Sequence, residues 1–208
     1  MPKPLVRIQA RPLLALVLET LAGSHVSECV VVLGHAADVV EREVDLRSAR
    51  VVTNSDYLGG MSTSLRAGLR AANPSAAAYL VVLADQPFVA SATLNALIDR
   101  WARGEARILI PTFRGRRGNP VLLDRRLAAS VDSITGDVGF RALFAERADE
   151  ILEVAVDDPG VLFDVDTLEQ VRALEAKLQE GLPLKEALTE LVNRGPGLKD
   201  RTPLGRPG

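Results

Sequence analysis

Hydrophobic residues along this chain recur with two different periodicities. Six short runs are mostly apolar at successive positions and rich in β-branched residues, which predicts strands that are buried on both faces. Between them lie segments whose apolar positions recur at helical spacing. The predicted strands cover residues 28–35, 49–54, 78–85, 106–113, 119–124 and 150–156, and the fourth and fifth predict a hairpin or two adjacent strands.

Capping residues set the bounds of the predicted helices. Ser91 is the expected N-cap of a helix that Gly104 ends, and Asp137 opens another. Asp166 and Glu169 form an Asp-x-x-Glu capping box at the start of a further helix. The predicted helices cover residues 12–22, 37–43, 61–72, 91–103, 137–148 and 166–180.

This alternation predicts an α/β fold with three layers, an open and mostly parallel sheet with helices on both faces. The chain has 208 residues, of which 47% are hydrophobic, a size for which one domain is the default. We expect that domain to cover residues 1–181. Residues 182–194 predict one more amphipathic helix, and the Gly, Pro and charged residues of 195–208 predict a disordered, dispensable tail.

Composition excludes several classes of protein. A net charge of −2 gives no electrostatic footprint for nucleic acid. No apolar run is long enough to cross a bilayer, and the N-terminus lacks the apolar core of a signal peptide. The single cysteine, Cys29, excludes an internal disulfide framework and fits a cytoplasmic protein. His25, His35 and Cys29 have no partner at metal-ligand spacing, so we interpret them as structural.

A glycine-containing loop follows the predicted strand that ends at Thr53. In open α/β sheets ligands bind beyond the carboxyl ends of the strands, and Gly59 and Gly60 permit a tight turn there. The next helix would direct free N–H groups to that edge, with hydroxyl groups from residues 62–64 and a charge from Arg66. This pattern fits an anion or nucleotide site, and an ordinary capped loop explains it equally well.

Three aspartates follow predicted strands. A carboxylate at the end of a buried strand is costly to desolvate, so Asp85 is expected either to accept loop amides or to hold a cation. Asp164 and Asp166 are two residues apart, which in an extended segment directs both to one side. For Asp166 the role of helix cap is the simpler explanation, whereas Asp164 has none.

Arginines surround two further loops. Their positions suit contacts with a polyanionic substrate, although arginines in loops are more often simply solvated. They are Arg114, Arg116, Arg117 and Arg141.

Taken in order, these stretches resemble the molybdenum cofactor cytidylyltransferase family, which is part of the molybdopterin-guanylyltransferase-like nucleotidyltransferases. The resemblance spans residue 1 to about residue 174, and Asn119 stands where close relatives usually carry His. The matching motifs are Lys3 to Val6 with Arg11 to Leu14 (K-x-L-L), Asn54 with Gly60 to Leu69 (G-M-S-x-S-L-R-A-G-L), Asp85-Gln86-Pro87 (D-Q-P), Gly115 with Gly118 to Pro120 (G-x-x-G-H/N-P), Gly136 to Arg141 (G-D-x-G-x-R) and Asp164 to Thr167 (D-I-D-T).

The resemblance implies a nucleotide-diphospho-sugar-transferase-like fold and a reaction. CMP would pass from CTP to the terminal phosphate of molybdenum-bound molybdopterin, with release of pyrophosphate and with Mg²⁺ as cofactor. A recipient molybdoenzyme or its chaperone would be a further partner. Lys3 and Asp85 would be catalytic. The other implied roles are metal binding by Asp85, Asp164 and Asp166, nucleotide binding by Lys3, Gly60, Met61, Ser62, Ser64 and Arg66, and contact with the pterin by Arg117, Gly118, Asn119, Pro120, Asp137 and Arg141.

Two other functions remain open from the sequence. One is a guanylyltransferase or another small-metabolite nucleotidyltransferase. The other is a non-catalytic module that binds the cofactor.

The sequence also departs from the family's pattern at its start. Family members begin with a strand and a Gly-rich loop, and here the chain opens at the exit of that loop. A start codon placed too far downstream explains this better than a shortened relative, since the other motifs are intact. We expect the absent strand to lie between the strands at 29–33 and 79–84, leaving either an open slot or a distorted site. The printed chain is then expected to be poorly soluble and nearly inactive alone.

Overall fold

A computed structural model describes residues 1–131 and 140–193. Nine strands and eight helices occur in this described part of the chain, together with short 3₁₀ turns. The strands are β1 (Arg7–Ile8), β2 (Arg11–Pro12), β3 (Val30–Leu33), β4 (Arg50–Thr53), β5 (Ala78–Val81), β6 (Ile108–Phe113), β7 (Arg116–Arg117), β8 (Val121–Asp124) and β9 (Ile151–Ala155). The helices are α1 (Leu13–Ala22), α2 (Ala37–Glu43), α3 (Met61–Ala71), α4 (Ser91–Ala102), α5 (Ala128–Val131), α6 (Arg141–Glu146), α7 (Leu168–Gln179) and α8 (Leu184–Asn193).

The main sheet has five strands and is covered on both faces. Residues Ile108 and Ile110 of β6 pack in one cluster with Leu65 of α3, whereas Leu109 between them packs with Leu97 of α4. Successive residues of a strand point to opposite faces, so β6 is buried between two helical layers. The predicted α/β architecture with helices on both faces is confirmed.

The direction of the strands is mixed. β8 runs antiparallel to both β5 and β6, while β9 runs parallel to β6. The physical reason is the predicted hairpin, which returns β8 beside β6 and inserts it between β6 and β5. β7 also pairs antiparallel with β6, so the main sheet is mixed, and β6 with β9 is its parallel pair in the described residues.

β3 and β4 form a separate parallel pair. No ladder joins β3 to β5 in residues 1–131 and 140–193. The apolar run from Ala78 to Asp85 is half-buried at every position, although its composition predicts a fully buried strand. Among the described strands, β5 pairs with β8 alone.

Two predicted helix caps are wrong. Ala90 is the N-cap of α4, and the hydroxyl of Ser91 instead donates to the Thr20 carbonyl at 2.7 Å. The capping box of α7 is formed by Thr167 and Gln170, one residue later than predicted. Sequence spacing alone could not separate these neighbouring registers, since Thr-x-x-Gln is as good a capping box as Asp-x-x-Glu.

α8 confirms the predicted further helix and belongs to the core. Its Leu188 and Val192 pack in one cluster with Val6 and Val165, which are close in sequence to predicted site residues. The predicted disordered tail, 195–208, lies outside the described residues. None of the described helices is long and apolar enough to cross a membrane.

Candidate active site

A lysine near the start of the chain lies between two aspartates from distant parts of the sequence. Lys3 belongs to a 3₁₀ turn, Lys3–Leu5. Its Nζ donates hydrogen bonds to Asp85 Oδ2 at 2.6 Å and to Asp166 Oδ1 at 2.8 Å. Three residues that the sequence assigns to phosphate and metal binding therefore form one hydrogen-bonded group.

The two aspartates are brought together by the ends of β5 and of the segment before α7. The Val165 N–H donates to the Asp85 carbonyl at 2.8 Å, which joins the two segments through their main chains. Because Thr167 caps α7, the Asp166 side chain does not serve as the cap and reaches Lys3 instead.

Gln86 and Asp164 complete this group. Gln86 is 3% exposed, and its Nε2 donates a short hydrogen bond to Asp164 Oδ1. Burial raises the pKa of Asp164; the charges of Asp85 and Asp166 add to the rise, whereas the Gln86 donor opposes it. Lys3, Asp85, Gln86, Asp164 and Asp166 are called the Lys3 cluster below.

The pKa of Lys3 reflects the opposite balance. Burial alone would lower it, but the hydrogen bonds and charges of Asp166 and Asp85 outweigh burial, so the pKa of Lys3 is raised. The lysine is therefore a firmly held cation between two carboxylates.

The donor set fits a divalent metal ion that arrives with a polyphosphate. The second oxygen of Asp85, Oδ1, is buried and has no hydrogen-bond partner in the described residues. The described part of the chain contains no group of three or more His, Cys, Asp or Glu residues that could hold a metal by itself. Mg²⁺ usually takes one or two carboxylates and completes its shell with water and substrate phosphates, which is the set available here.

The glycine-containing loop before α3 is organised by Asn54. Its Nδ2 donates to Thr63 Oγ1 at 2.8 Å and to Ser64 Oγ at 3.0 Å, and its Oδ1 accepts from the Asp56 N–H at 3.0 Å. Gly60 has a φ of 91°, a conformation that favours glycine, and it is the N-cap of α3. None of the described side chains makes a hydrogen bond at that N-cap, so the hydroxyl groups of residues 62–64 do not cap α3.

Ser62 is the most buried residue of this loop. It is 1% exposed, and its Oγ has no hydrogen-bond partner in the described residues. Met61 is half exposed and Arg66 half-buried beside it. A buried hydroxyl without a partner costs about 1–3 kcal/mol, so this loop retains the capacity to bind a ligand.

The predicted pterin loop contacts the segment that leads to Asp164. The Asn119 N–H donates to the Val161 carbonyl at 3.0 Å. A Cβ on Gly118 would lie 2.2 Å from that carbonyl oxygen, so only glycine permits the approach. Pro120 is buried, whereas the exposed Arg117 pairs with Glu153 at 2.7 Å.

Two predicted site residues lie at the edge of the described residues or outside them. Arg141 is the first residue of α6. Asp137 lies outside the described residues.

Sequence reasoning left Asn54 and Gln86 out of its site residues. Both are uncharged amides, so no charge pattern marks them, and each gains its role from partners that only the fold brings near. Their presence within the matched motifs was the only available signal.

Comparisons with known proteins identify the family and the fold of this chain. The model of the MobA-like NTP transferase domain matches residues 1–151. Nicotine blue oxidoreductase of Paenarthrobacter nicotinovorans is 32% identical over 181 residues, which covers 83% of this chain and 87% of that protein. The bifunctional protein GlmU of Paraburkholderia xenovorans is 32% identical over 118 residues, only 26% of its own length.

Solved structures give the same result. Rv0371c of Mycobacterium tuberculosis, in complex with manganese, is 28% identical with a TM-score of 0.74, over 84% of this chain and 91% of that chain. Its homologue from Mycobacterium sp. strain JC1 is 27% identical with a TM-score of 0.77, over 88% and 90%. Because the family model covers most of the sequence, the chain belongs to the MobA-like NTP transferase domain family, and its class is that of the nucleotidyltransferases.

Proposed function

We propose that this protein transfers CMP from CTP to the terminal phosphate of molybdenum-bound molybdopterin and releases pyrophosphate. The observation that carries the proposal is the Lys3 bridge between Asp85 and Asp166, beside an Asp85 oxygen that has no hydrogen-bond partner among the described residues. Such a group suits a triphosphate that arrives with a metal ion. The order of the motifs supports CTP and molybdopterin as substrates.

In-line phosphoryl chemistry needs positioning and charge neutralisation more than covalent catalysis. Asp85 would be the main ligand of Mg²⁺, with Asp164 or Asp166 as the second. Mg²⁺, when bound, would neutralise charge on the triphosphate oxygens. Lys3 would move from its carboxylate partners to the phosphates.

The remaining predicted residues would bind the two substrates. The loop from Gly60 to Ser64, with Arg66, would hold the nucleotide. The segment from Arg117 to Pro120, with Asp137 and Arg141, would face the pterin. The contact of Gly118 and Asn119 with Val161 supports this division, since it leads the pterin segment to the carboxylates.

The decisive experiment measures pyrophosphate release with molybdenum-bound molybdopterin and each of CTP, GTP, ATP and UTP. It uses the printed chain and a version extended upstream of Met1 by the preceding in-frame codons. We expect release with CTP from the extended version and little from the printed chain. Release with GTP instead of CTP would assign the guanylyltransferase function, and cofactor binding without release would assign a binding module.

The name of one relative raises a second candidate function. Nicotine blue oxidoreductase resembles this chain over most of both lengths, so an oxidoreductase role is the alternative of a different class. The same protein preparation should therefore be assayed for reduction of nicotine blue with an added reductant. Reduction without any nucleotide-dependent pyrophosphate release would replace the proposed function.

A further inference from the structure

Gln86 is a buried side chain that no role assigned above explains. It follows Asp85 directly and is 3% exposed. Its Nε2 has two acceptors, Asp164 Oδ1 and, at 3.5 Å, the Val161 carbonyl. Its Oε1 has no partner in the described residues. Among the described residues, the Gln86 side chain therefore bonds through its Nε2 group and not through its oxygen.

The two acceptors of Gln86 lie on one segment, residues 161–164, which also contacts the 118–120 segment. The Val161 carbonyl also accepts the Asn119 N–H at 3.0 Å and lies against Gly118. Asp164 is three residues further along the same segment. One amide thus touches both the carboxylate and the peptide group that supports the 118–120 segment.

The chemistry of the position requires an amide. A carboxylate at residue 86 would repel Asp164, and an apolar side chain would leave the half-buried Asp164 Oδ1 without this donor. Such donors orient a metal-binding carboxylate, and their loss typically weakens metal binding by about 10- to 100-fold.

We propose that Gln86 is a positioning residue, which fixes the orientation of Asp164 for the metal–nucleotide complex and couples it to the 118–120 segment. This inference rests on the proposed function for its second half only. Its first half concerns metal binding in the presence of nucleotide, which requires no transfer to an acceptor.

The test is a double-mutant cycle of Gln86→Met and Asp164→Asn. Electron paramagnetic resonance measures Mn²⁺ binding with a non-hydrolysable CTP analogue, using the extended chain. We expect Gln86→Met to weaken Mn²⁺ binding about tenfold in the wild-type background, and less than about twofold once Asp164 is Asn.

Trp101→Phe provides the matched control. It removes a side-chain N–H donor from another aspartate, Asp124, at 3.1 Å. A structural role for Gln86 would lower the melting temperature in both variants and leave Mn²⁺ binding unchanged in both. Unchanged Mn²⁺ binding in Gln86→Met, or effects that multiply in the double variant, would overturn the inference.

The coupling to the 118–120 segment has a separate readout. At saturating Mn²⁺ the KM for molybdopterin should rise by about threefold or more in Gln86→Met, the scale of one hydrogen bond. An unchanged KM would refute the coupling. Suppose instead that the double-mutant cycle gives the expected changes in Mn²⁺ binding while the wild-type protein catalyses no nucleotidyl transfer. That result would refute the proposed function and leave the positioning role of Gln86 intact.

Discussion

The Lys3 cluster and a second group of charged side chains differ in how their polar atoms are satisfied. The second group consists of Trp101, Arg107, Asp124, Arg126 and Glu150 and lines a cavity of about 820 Å³; it is called the Asp124 group. In the Asp124 group each arginine pairs with one carboxylate, Arg126 with Asp124 and Arg107 with Glu150, and Asp149 lines the same cavity. In the Lys3 cluster a single lysine faces three carboxylates.

Hydrogen bonding separates the two groups further. Asp124 is 4% exposed and accepts from Trp101 Nε1 at 3.1 Å and from three nitrogens of Arg126 at 2.8–2.9 Å. The hydrogen bond from the Arg126 side chain, above all, holds the pKa of Asp124 well below its usual range. Burial instead raises the pKa of Asp164.

The comparison teaches which feature indicates a ligand site. The cavity at the Asp124 group is large, but its central carboxylate is fully served by its own neighbours. The Lys3 cluster has excess negative charge, and two of its buried acceptors, Asp85 Oδ1 and Gln86 Oε1, have no hydrogen-bond partner in residues 1–131 and 140–193. A buried polar atom without a partner costs free energy, so the cluster gains by binding a cation.

The largest expected effect comes from the same substitution made in each group. Asp85→Asn should lower nucleotidyl transfer by at least about 100-fold, the scale of losing one electrostatic stabiliser. Asp124→Asn should leave the rate at saturating substrates within about twofold, because its bonds are all structural. Pyrophosphate release at saturating Mg²⁺ measures both.

Equal losses in the two variants would show that the comparison does not distinguish site from scaffold. Near-normal turnover of Asp85→Asn would remove Asp85 from the metal site.

The second effect is on stability and concerns Asp124. Asp124→Asn should reduce the free energy of unfolding by about 1.5–3 kcal/mol at pH 7, the range for hydrogen bonds to a charged group. A carboxyl whose folded pKa is lowered stabilises the fold above its unfolded pKa, near 3.9, and loses this contribution as the pH falls through the folded value. Urea unfolding at pH 7 and at pH 3 should show the difference shrinking at the lower pH.

An equal difference at both pH values would mean that the Asp124 charge contributes nothing. Asp85→Asn serves as the control, since it should change stability little.

These two groups also show what sequence can predict. Apolar runs rich in β-branched residues correctly predicted β3, β4, β6 and β9, although of these four strands only β6 is buried at every position. The mixed direction of the main sheet depends on which strand β8 joins, and such long-range pairing leaves no local signal. β5 is shorter than its apolar run, and within the described part of the chain β8 is its one neighbouring strand.

Within the site, the charged side chains could be predicted from the sequence, and the uncharged Gln86 could not. Asp85 was predicted because a carboxylate at the end of a buried strand demands compensation, and Asp164 and Asp166 because their spacing directs both to one side. The metal-binding role of all three came from the family resemblance. The compensation itself could not be predicted by spacing, because Lys3 and Asp166 lie at opposite ends of the matched region. Gln86 carries no charge, and its role depends on Val161 and Asp164 being adjacent in the fold.

The third effect is that one substitution, Lys3→Met, should tighten metal binding and lower nucleotidyl transfer. Lys3→Met removes the cation between Asp85 and Asp166, so two carboxylates lose their compensating charge. Binding of Mn²⁺ alone should tighten by about tenfold, or 1.4 kcal/mol, a modest share of a close pair's Coulomb energy near a surface. Nucleotidyl transfer should fall in the same variant, since the phosphates lose their lysine.

Lys177→Met is the control, because Lys177 pairs with Glu190, which is outside the Lys3 cluster. Titration calorimetry with Mn²⁺ alone should give unchanged binding for it. If Mn²⁺ bound more weakly to Lys3→Met than to the wild type, Lys3 would support metal binding and would not compete with the metal ion for the carboxylates.

The smallest effect is on stability and concerns Asp164, whose replacement by Asn should stabilise the fold, whereas Asp124→Asn should destabilise it. Because burial raises the pKa of Asp164, its charged form is unfavourable in the fold, and stability decreases as the pH rises from the ordinary value through the raised one. Asp164→Asn should therefore raise the melting temperature at pH 7 by up to about 4 °C, the shift that 1 kcal/mol produces in a domain of this size. Below about pH 4 the carboxyl is protonated and the two proteins should melt together. Calorimetry at both pH values checks this, and a lower melting temperature for Asp164→Asn at pH 7 would place Asp164 with the structural carboxylates of the Asp124 group.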